Sequence, residues 1–152
     1  MMELHHITDI TDPLTRVIQD DPVRPHIPLE QRINDAAEIL LLKAGEEILA
    51  ATCLQWLTEI PKNEEDLKTV STSKNVAVFY TIWSYSPGAG AALIRQTADW
   101  ILREHSEVND IVTLSPQTEM ARRFHTKNGA LVHQTNETSV NYRYYHKTPT
   151  VD

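Results

Sequence analysis

Ser115 and His125 are two polar side chains that lie ten residues apart, where a predicted strand gives way to a helix. An imidazole can accept or deliver a proton near neutral pH, and a serine hydroxyl can orient it or bind an anionic group. Serine before Pro116 is equally typical of a helix N-cap. A ten-residue helix is about 15 Å long, so contact between the two side chains requires a helix that begins late or a Ser115 that lies back along the sheet. Position alone leaves both interpretations open.

The glycine-containing segment SPGAGAA at 86–92 is a second candidate site. Free backbone amides at the start of a helix bind anions, and small residues let a phosphate approach the main chain. We expect the amides of Gly88, Ala89, Gly90 and Ala91 to be the donors. No Gly-Lys-Ser/Thr follows and no third glycine comes three residues after Gly90, so this is neither a P-loop nor a dinucleotide fingerprint. A strand-to-helix turn that merely needs glycine is the alternative.

The hydrophobic pattern predicts the elements that position these residues. It indicates a hairpin over 39–57, a strand over 76–83, an amphipathic helix over 91–105 and a strand over 111–114. A helix from 115 to 128 and two strands within 130–145 complete an α/β fold with a mixed sheet, in which 76–114 form one βαβ unit. Before them we expect a short helix over 14–19 and a proline-containing arm over 20–28, with loosely ordered ends at 1–10 and 147–152.

Composition narrows the classes of function. A chain of 152 residues with 41% hydrophobic residues is expected to form one domain, 1–152. A single cysteine, Cys53, excludes a disulfide framework, and without a metal-ligand cluster we predict no metal site. A net charge of −7 argues against nucleic-acid binding. No run approaches the ~18 apolar residues of a membrane span and no signal peptide is recognisable, so we expect a cytoplasmic protein without membrane contact.

The order of elements over about 36–146 resembles the GNAT acyltransferase superfamily, in which a strand, a glycine-containing loop and a helix hold coenzyme A. The superfamily's loop pattern, Gln/Arg-x-x-Gly-x-Gly/Ala, is met at Gly88 and Gly90, with Tyr85 in the position of the Gln or Arg. In the segment ARRFHTKNG at 121–129, His125 replaces a frequent tyrosine acid. The resemblance implies an acyl-CoA thioester as substrate, held by Trp83, Ser84, Tyr85, Ser86, Gly88, Ala89, Gly90 and Ala91.

Four blocks are together similar to the carboxyl-terminal catalytic domain of malonyl-CoA decarboxylases: VAVFYTIW at 76–83, TLSP at 113–116, ARRFHTKNGA at 121–130 and VNYRYY at 140–145. The resemblance implies that Ser115 and His125 are the catalytic pair. We also predict Tyr144, in the last block, as a catalytic residue, although aromatic residues of such a strand are by default sheet and core residues. The family has a long insertion between its serine and histidine blocks and a separate helical amino-terminal domain, which this sequence lacks.

These resemblances predict an acyl-CoA enzyme that decarboxylates malonyl-CoA or a similar short acyl-CoA, with His125, at a pKa near neutrality, as proton donor. The first alternative is acyl transfer to an amine, with His26 and the proline-containing arm shaping an acceptor pocket in the acidic first half of the chain. The second is a noncatalytic acyl-CoA-binding module. A small-molecule acyl-CoA is the expected partner, and a homodimer stays open.

Overall fold

A seven-stranded mixed sheet organises the protein; the computed structural model describes residues 1–148. The strand order is β1-β2-β3-β4-β5-β7-β6, and only β4 and β5 run parallel. The strands are β1 (Met2–Ile7), β2 (Ala37–Ala44), β3 (Glu47–Leu57), β4 (Val76–Ser84), β5 (Asp110–Thr113), β6 (Leu131–Thr135) and β7 (Val140–His146). The helices are α1 (Leu29–Arg32), α2 (Ala89–Glu104) and α3 (Glu119–Lys127), with 3-10 helices at Pro13–Asp20 and Glu64–Lys68.

The predicted hairpin is confirmed as β2 and β3, joined at Gly45, whose φ of 61° suits glycine. The prediction of a loosely ordered amino terminus is wrong, because Met2–Ile7 is the edge strand β1 and pairs with β2 along its whole length. The short helix predicted over 14–19 is the 3-10 helix Pro13–Asp20, capped by Asp12. At the other terminus, the Lys147 amide donates to the Asn109 carbonyl at 2.7 Å, and 149–152 lie outside the described residues.

Alternation along the strands sends side chains to two separate cores. On β2, Ile39 and Leu41 face a core shared with Val17, Ile27 and Ile33 from the amino-terminal segments; we call this side of the sheet the arm face. The neighbouring Leu40 and Leu42 face the core that contains α2, together with Phe124 of α3; we call this side the helix face. Each face is therefore covered by a different part of the chain.

A gap opens between β4 and β5 because their parallel pairing is short. It runs from Val76–Asp110 to Phe79–Thr113, and the last hydrogen bond joins the Leu114 amide to the Phe79 carbonyl at 2.9 Å. From Tyr80 to Ser84, β4 continues alongside β3 only, with a register shift at Tyr80. The separated ends of β4 and β5 form the two walls of a cleft. The short strand predicted over 111–114 agrees with the early end of β5.

Helix α3 begins later than the sequence predicts. Its N-cap is Thr118, whose hydroxyl accepts from the Ala121 amide at 3.2 Å. The expected N-cap, Ser115, instead extends β5 through a two-way backbone bridge to Val140. Of the two arrangements that would bring Ser115 near His125, the structure therefore has both: the helix starts late, and Ser115 lies back along the sheet.

Within residues 1–148, no helix is long and apolar enough to cross a membrane.

Candidate active site

A cleft of about 530 Å³ occupies the gap between the separated ends of β4 and β5. Its walls come from both faces of the sheet, because Phe79 and Ile82 belong to the core on the helix face, whereas Tyr80 and Trp83 belong to the core on the arm face. Helix α3 closes one side. The residues that line it are Pro22, Val23, Phe79, Tyr80, Thr81, Ile82, Trp83, Ser84, Leu114, Ser115, Pro116, Thr118, Met120, Ala121, Phe124 and His125.

His125 reaches this cleft from the last turn of α3 and is 4% exposed. Its ring stacks on Tyr142 at 5.0 Å between centroids, with 27° between the planes. Its Nδ1 forms a 2.7 Å hydrogen bond with the Tyr144 hydroxyl. With that hydroxyl donating, the neutral ring carries its own proton on Nε2, which has no partner among the hydrogen bonds of residues 1–148. The structure thus brings together two of the three predicted catalytic residues.

The titration of His125 differs from the sequence-based expectation. Burial lowers the pKa of His125 from its ordinary 6.5 to about 4, because the charged ring would lose its hydration without gaining a carboxylate partner. Burial also raises the pKa of Tyr144. The expected pKa near neutrality is therefore wrong. At pH 7 both groups are neutral, so the ring can donate or relay a proton but is not a charged acid.

This depressed pKa makes stability depend on pH. Below pH 6.5 the unfolded chain protonates His125 while the folded chain does not until about pH 4, so stability is lost as the pH falls through this window. The His125 contribution to the free energy of unfolding is expected to fall by about 2 kcal/mol between about pH 7 and pH 5. Urea unfolding of the wild type and of His125→Gln at both pH values measures it. The difference between the free energies of unfolding of the two proteins should shrink by that amount from pH 7 to pH 5. A constant difference would contradict the buried neutral ring.

Ser115 is 4% exposed and lines the same cleft from the end of β5. Its hydroxyl donates to Thr113 Oγ1 at 2.7 Å, and the Tyr142 amide donates to the same oxygen at 3.1 Å. No hydrogen bond within residues 1–148 joins Ser115 to His125. Ser115 is thus held by its strand neighbour, and both side chains line one cavity without a hydrogen bond between them.

The glycine-containing turn lies between β4 and α2. Gly88 is the N-cap of α2 in the left-handed region, with φ 78°. Among the expected amide donors, Ala89 already donates to the Ser86 carbonyl at 3.2 Å, whereas Gly88, Gly90 and Ala91 have no acceptor within residues 1–148. Three amides are therefore free to bind an anion.

Gly90 lies where α2, α3 and the end of β4 come closest. A Cβ added to Gly90 would lie 2.6 Å from Ser84 Oγ and 3.4 Å from the Phe124 ring. Ser84 and Phe124 both line the cleft. At Gly90 the missing side chain is therefore explained by the packing of Ser84 and Phe124, whereas nothing lies within 4 Å of a Cβ added to Gly88 and the turn is open there.

Tyr85, by contrast, turns away from the cleft. Its hydroxyl donates to Asp20 at 2.7 Å and accepts from Trp83 Nε1 at 2.9 Å, on the arm face. Of the residues predicted to contact a ligand, Trp83 and Ser84 line the cleft, whereas Tyr85 does not.

Substituting Gly90 with valine is expected to destabilise the fold by about 1–3 kcal/mol, since Ser84 and Phe124 must both move. Thermal unfolding measures this loss. Gly45→Ala is a matched control for glycine substitution, because its added Cβ meets nothing within 4 Å and only the φ of 61° is strained. An equal or larger loss in Gly45→Ala would contradict the close approach at Gly90.

His26 does not reach the cleft. It is 60% exposed at its side chain and pairs with Glu64 at 2.7 Å. The arm contributes Pro22 and Val23 instead, which the sequence does not single out. Pro22, Pro25 and Pro28 indicate an extended segment, but no local sequence pattern indicates which of its residues will lie across the gap in the sheet.

Known structures give an independent comparison. No protein-family model matches the chain, and no curated protein matches it in sequence. Malonyl-CoA decarboxylase from Agrobacterium vitis matches with a TM-score of 0.67 at 21% identity, over 81% of this chain and 35% of that one. Malonyl-CoA decarboxylase from Cupriavidus metallidurans matches with 0.68 at 17%, over 95% and 61%. An aminoglycoside acetyltransferase in complex with coenzyme A matches with 0.68 at 16%, over 95% of each chain.

The chain spans about a third to three fifths of the length of these decarboxylases, and nearly all of the acetyltransferase. At these identities the likeness concerns the fold. A further match is an acetyltransferase of the GNAT family, so the resemblance inferred from the sequence is confirmed at that level. This chain has the fold that GNAT acetyltransferases share with malonyl-CoA decarboxylases.

Proposed function

We propose that this protein is an acyl-CoA enzyme that decarboxylates malonyl-CoA or a similar short dicarboxylic thioester. The observation that carries the proposal is a buried, uncharged His125–Tyr144 pair at a cleft whose lining residues Ser84 and Phe124 lie beside Gly90 of the glycine-containing turn. The similarity of the LSP and FHTKNGA blocks to decarboxylases supports the choice of reaction. The likeness in fold to a coenzyme A complex supports the choice of substrate.

The coenzyme would be held by the turn. Its diphosphate would bind the amides of Gly88, Gly90 and Ala91, where the positive end of the α2 dipole favours an anion. Along β4, Trp83 and Ser84 would contact the part of the coenzyme that links its diphosphate to the thioester. The acyl end would then lie deeper in the gap, near Ser115 and His125.

The lining of the cleft suits the loss of a carboxylate. None of the sixteen lining side chains is a lysine, arginine, aspartate or glutamate, so a bound carboxylate loses hydration without gaining a countercharge. The carbon–carbon bond to the carboxylate breaks, CO2 leaves, and the electron pair delocalises onto the thioester oxygen. Hydrogen-bond donors aimed at this oxygen lower the barrier. His125 Nε2 is one candidate, and the Ser115 hydroxyl is a second if it turns from Thr113 Oγ1 toward the substrate.

One proton must then reach carbon. His125 passes its Nε2 proton to the carbanion while Nδ1 takes the hydroxyl proton of Tyr144, and the tyrosinate regains a proton from solvent. A raised Tyr144 pKa makes that last return favourable. The sum is one malonyl thioester and one proton converted to an acetyl thioester and CO2.

Incubating the protein with a panel of acyl-CoAs, with and without amines, and identifying products by mass tests the proposal. We expect acetyl-CoA and CO2 from malonyl-CoA without any amine. Consumption of acyl-CoA only when an amine is present would replace decarboxylation with transfer. Saturable binding without turnover, unchanged in Ser115→Ala, would indicate a noncatalytic module.

Acyl transfer to an amine is the second candidate. The observation that favours it is the length of the match, since the acetyltransferase is covered over 95% of both chains, whereas the decarboxylases are covered only in part. In such a reaction His125 would adopt the other tautomer, with Nδ1 donating to the Tyr144 oxygen, so that Nε2 could take a proton from the incoming amine.

A further inference from the structure

We propose that residues 21–28 of the arm close the arm face of the cleft, so that no amine or other acyl acceptor reaches the bound thioester. This inference rests on the proposed acyl-CoA function and specifies its substrates: one thioester, with solvent as the only other reactant.

The arm crosses the gap on the face opposite α2 and α3. The neighbouring Val17 and the arm residue Ile27 pack in the same core as Tyr80, Trp83 and Leu114, on the arm face. Between them, Pro22 and Val23 line the cleft itself. A second substrate that approached an acyl carbon from this face would have to displace these two side chains.

A buried ion pair holds the start of the arm. Arg32 Nη1 donates to Asp21 Oδ2 at 2.7 Å, and both side chains are 0% exposed. The other carboxylate oxygen of Asp21 accepts from the Thr81 hydroxyl at 2.7 Å, which ties it to β4 inside the cleft wall. Burial alone would raise the pKa of Asp21, but hydrogen bonds from the Arg24 amide and the Arg32 guanidinium outweigh it and the pKa is lowered. Asp21 is therefore a charged anchor.

Arg32 also fixes the course of the arm. Its Nε donates to the Ile27 carbonyl at 2.9 Å and its Nη2 to the Arg24 carbonyl at 2.7 Å. One guanidinium therefore holds three points of the segment between 21 and 27. Because each of these contacts is buried, moving the arm would leave buried polar groups without hydrogen-bond partners, which costs free energy.

Arg24 joins the arm to the point where the strands separate. Its guanidinium donates to the carbonyl of Tyr80, the first residue of β4 beyond the pairing with β5. Its Nε pairs with Glu64 at 2.9 Å, from the 3-10 helix Glu64–Lys68. Arg24 is 8% exposed, so this clamp lies largely out of solvent.

Cys53 offers a probe of this closure that does not depend on activity. It is the only cysteine of the chain, it is 0% exposed, and its Sγ lies 3.5 Å from Arg32 Nη1 in the core beneath the arm. Opening the arm is therefore expected to expose the thiol to an aromatic disulfide reagent, while the closed arm protects it.

The first experiment compares Cys53 labelling rates in native buffer between the full-length wild type, Arg24→Ala and Glu64→Gln, with Arg122→Ala as a surface control. We expect Cys53 labelling to be at least about tenfold faster in Arg24→Ala, with a smaller rise in Glu64→Gln. The fall in the unfolding midpoint of each variant should be too small to explain its faster labelling by global unfolding. Unchanged rates in both arm variants, or rates that follow global stability alone, would overturn the closure. Glu64→Gln decides the matter if Arg24→Ala fails to fold, since Glu64 is 40% exposed.

The second experiment measures products from malonyl-CoA and acetyl-CoA with and without spermidine or free lysine. We expect no acylated amine from the wild type and acylated amine from Val23→Gly, in which the wall of the cleft is shortened. Efficient acylation of an amine by the wild type would overturn the proposal while leaving an acyl-CoA enzyme. No turnover of any acyl-CoA would overturn the proposed function, and Cys53 labelling alone would then decide whether the arm is closed.

Discussion

His125→Ala is expected to reduce turnover of malonyl-CoA by about 10²- to 10⁴-fold, the usual contribution of a positioned acid or base. The substitution removes both the proposed donor to the thioester oxygen and the hydrogen bond to Tyr144 on which the proposed relay depends. The effect should fall on kcat, since the substitution leaves unchanged the amides of Gly88, Gly90 and Ala91 that are proposed to hold the coenzyme. Steady-state rates of CO2 release measure it, and coenzyme binding by calorimetry should stay within about twofold.

Tyr144→Phe separates the relay from the imidazole. It keeps the ring that packs on Phe79 but leaves Nδ1 of His125 without its 2.7 Å partner, so a smaller loss of kcat is expected. His133→Ala on β6 is the matched control, because His133 is exposed at the sheet edge. A loss in His133→Ala equal to that in His125→Ala would show that any histidine substitution harms the protein.

The pH profile distinguishes a neutral ring from a charged one. Since burial lowers the pKa of His125 to about 4, its neutral form persists down to about pH 5, and turnover by the wild type should not change with an apparent pKa near 6.5. A turnover rate that rises as the pH falls through about 6.5 would indicate a protonated ring and contradict the neutral relay.

The second large effect is expected in the arm. Removing either partner of the buried pair, by Asp21→Ala or Arg32→Ala, should lower the free energy of unfolding by about 3–5 kcal/mol, because a charge is left unpaired in the core. Denaturant titration measures this loss. Arg122→Ala removes an exposed pair with Glu119 and should leave the free energy of unfolding nearly unchanged.

The same pair gives a pH dependence with a defined sign. Because the folded pKa of Asp21 is lowered, its contribution is present above its ordinary value of 3.8 and is lost as the pH falls through the folded value. In Asp21→Asn this acid-dependent part of the unfolding free energy should disappear. Its persistence would indicate that Asp21 is not charged in the folded protein.

Local pattern was sufficient for most elements. Alternation and periodicity predict the hairpin of β2 and β3, the βαβ unit that contains α2, and the end of α3, where Gly129 has φ 97°. Pattern failed at β1, because MELHHI has no regular alternation and becomes a strand only through pairing with β2, which begins thirty residues further along the chain. It also failed at the start of α3, where the bridge from Ser115 to Val140 prevails over the capping tendency of serine.

The candidate site divides in the same way. Sequence by itself determined which residues are candidates for chemistry, because Ser115, His125 and the glycines of the turn stand out by type and spacing. Only the tertiary structure decided their partners and charge state. Tyr144 meets His125 because β7 lies between β5 and β6 in the sheet, and the depressed pKa arises from burial that no local window contains. The arm's place over the cleft likewise depends on Arg24 reaching Tyr80, fifty-six residues away, since a buried guanidinium must find its acceptors wherever the fold places them.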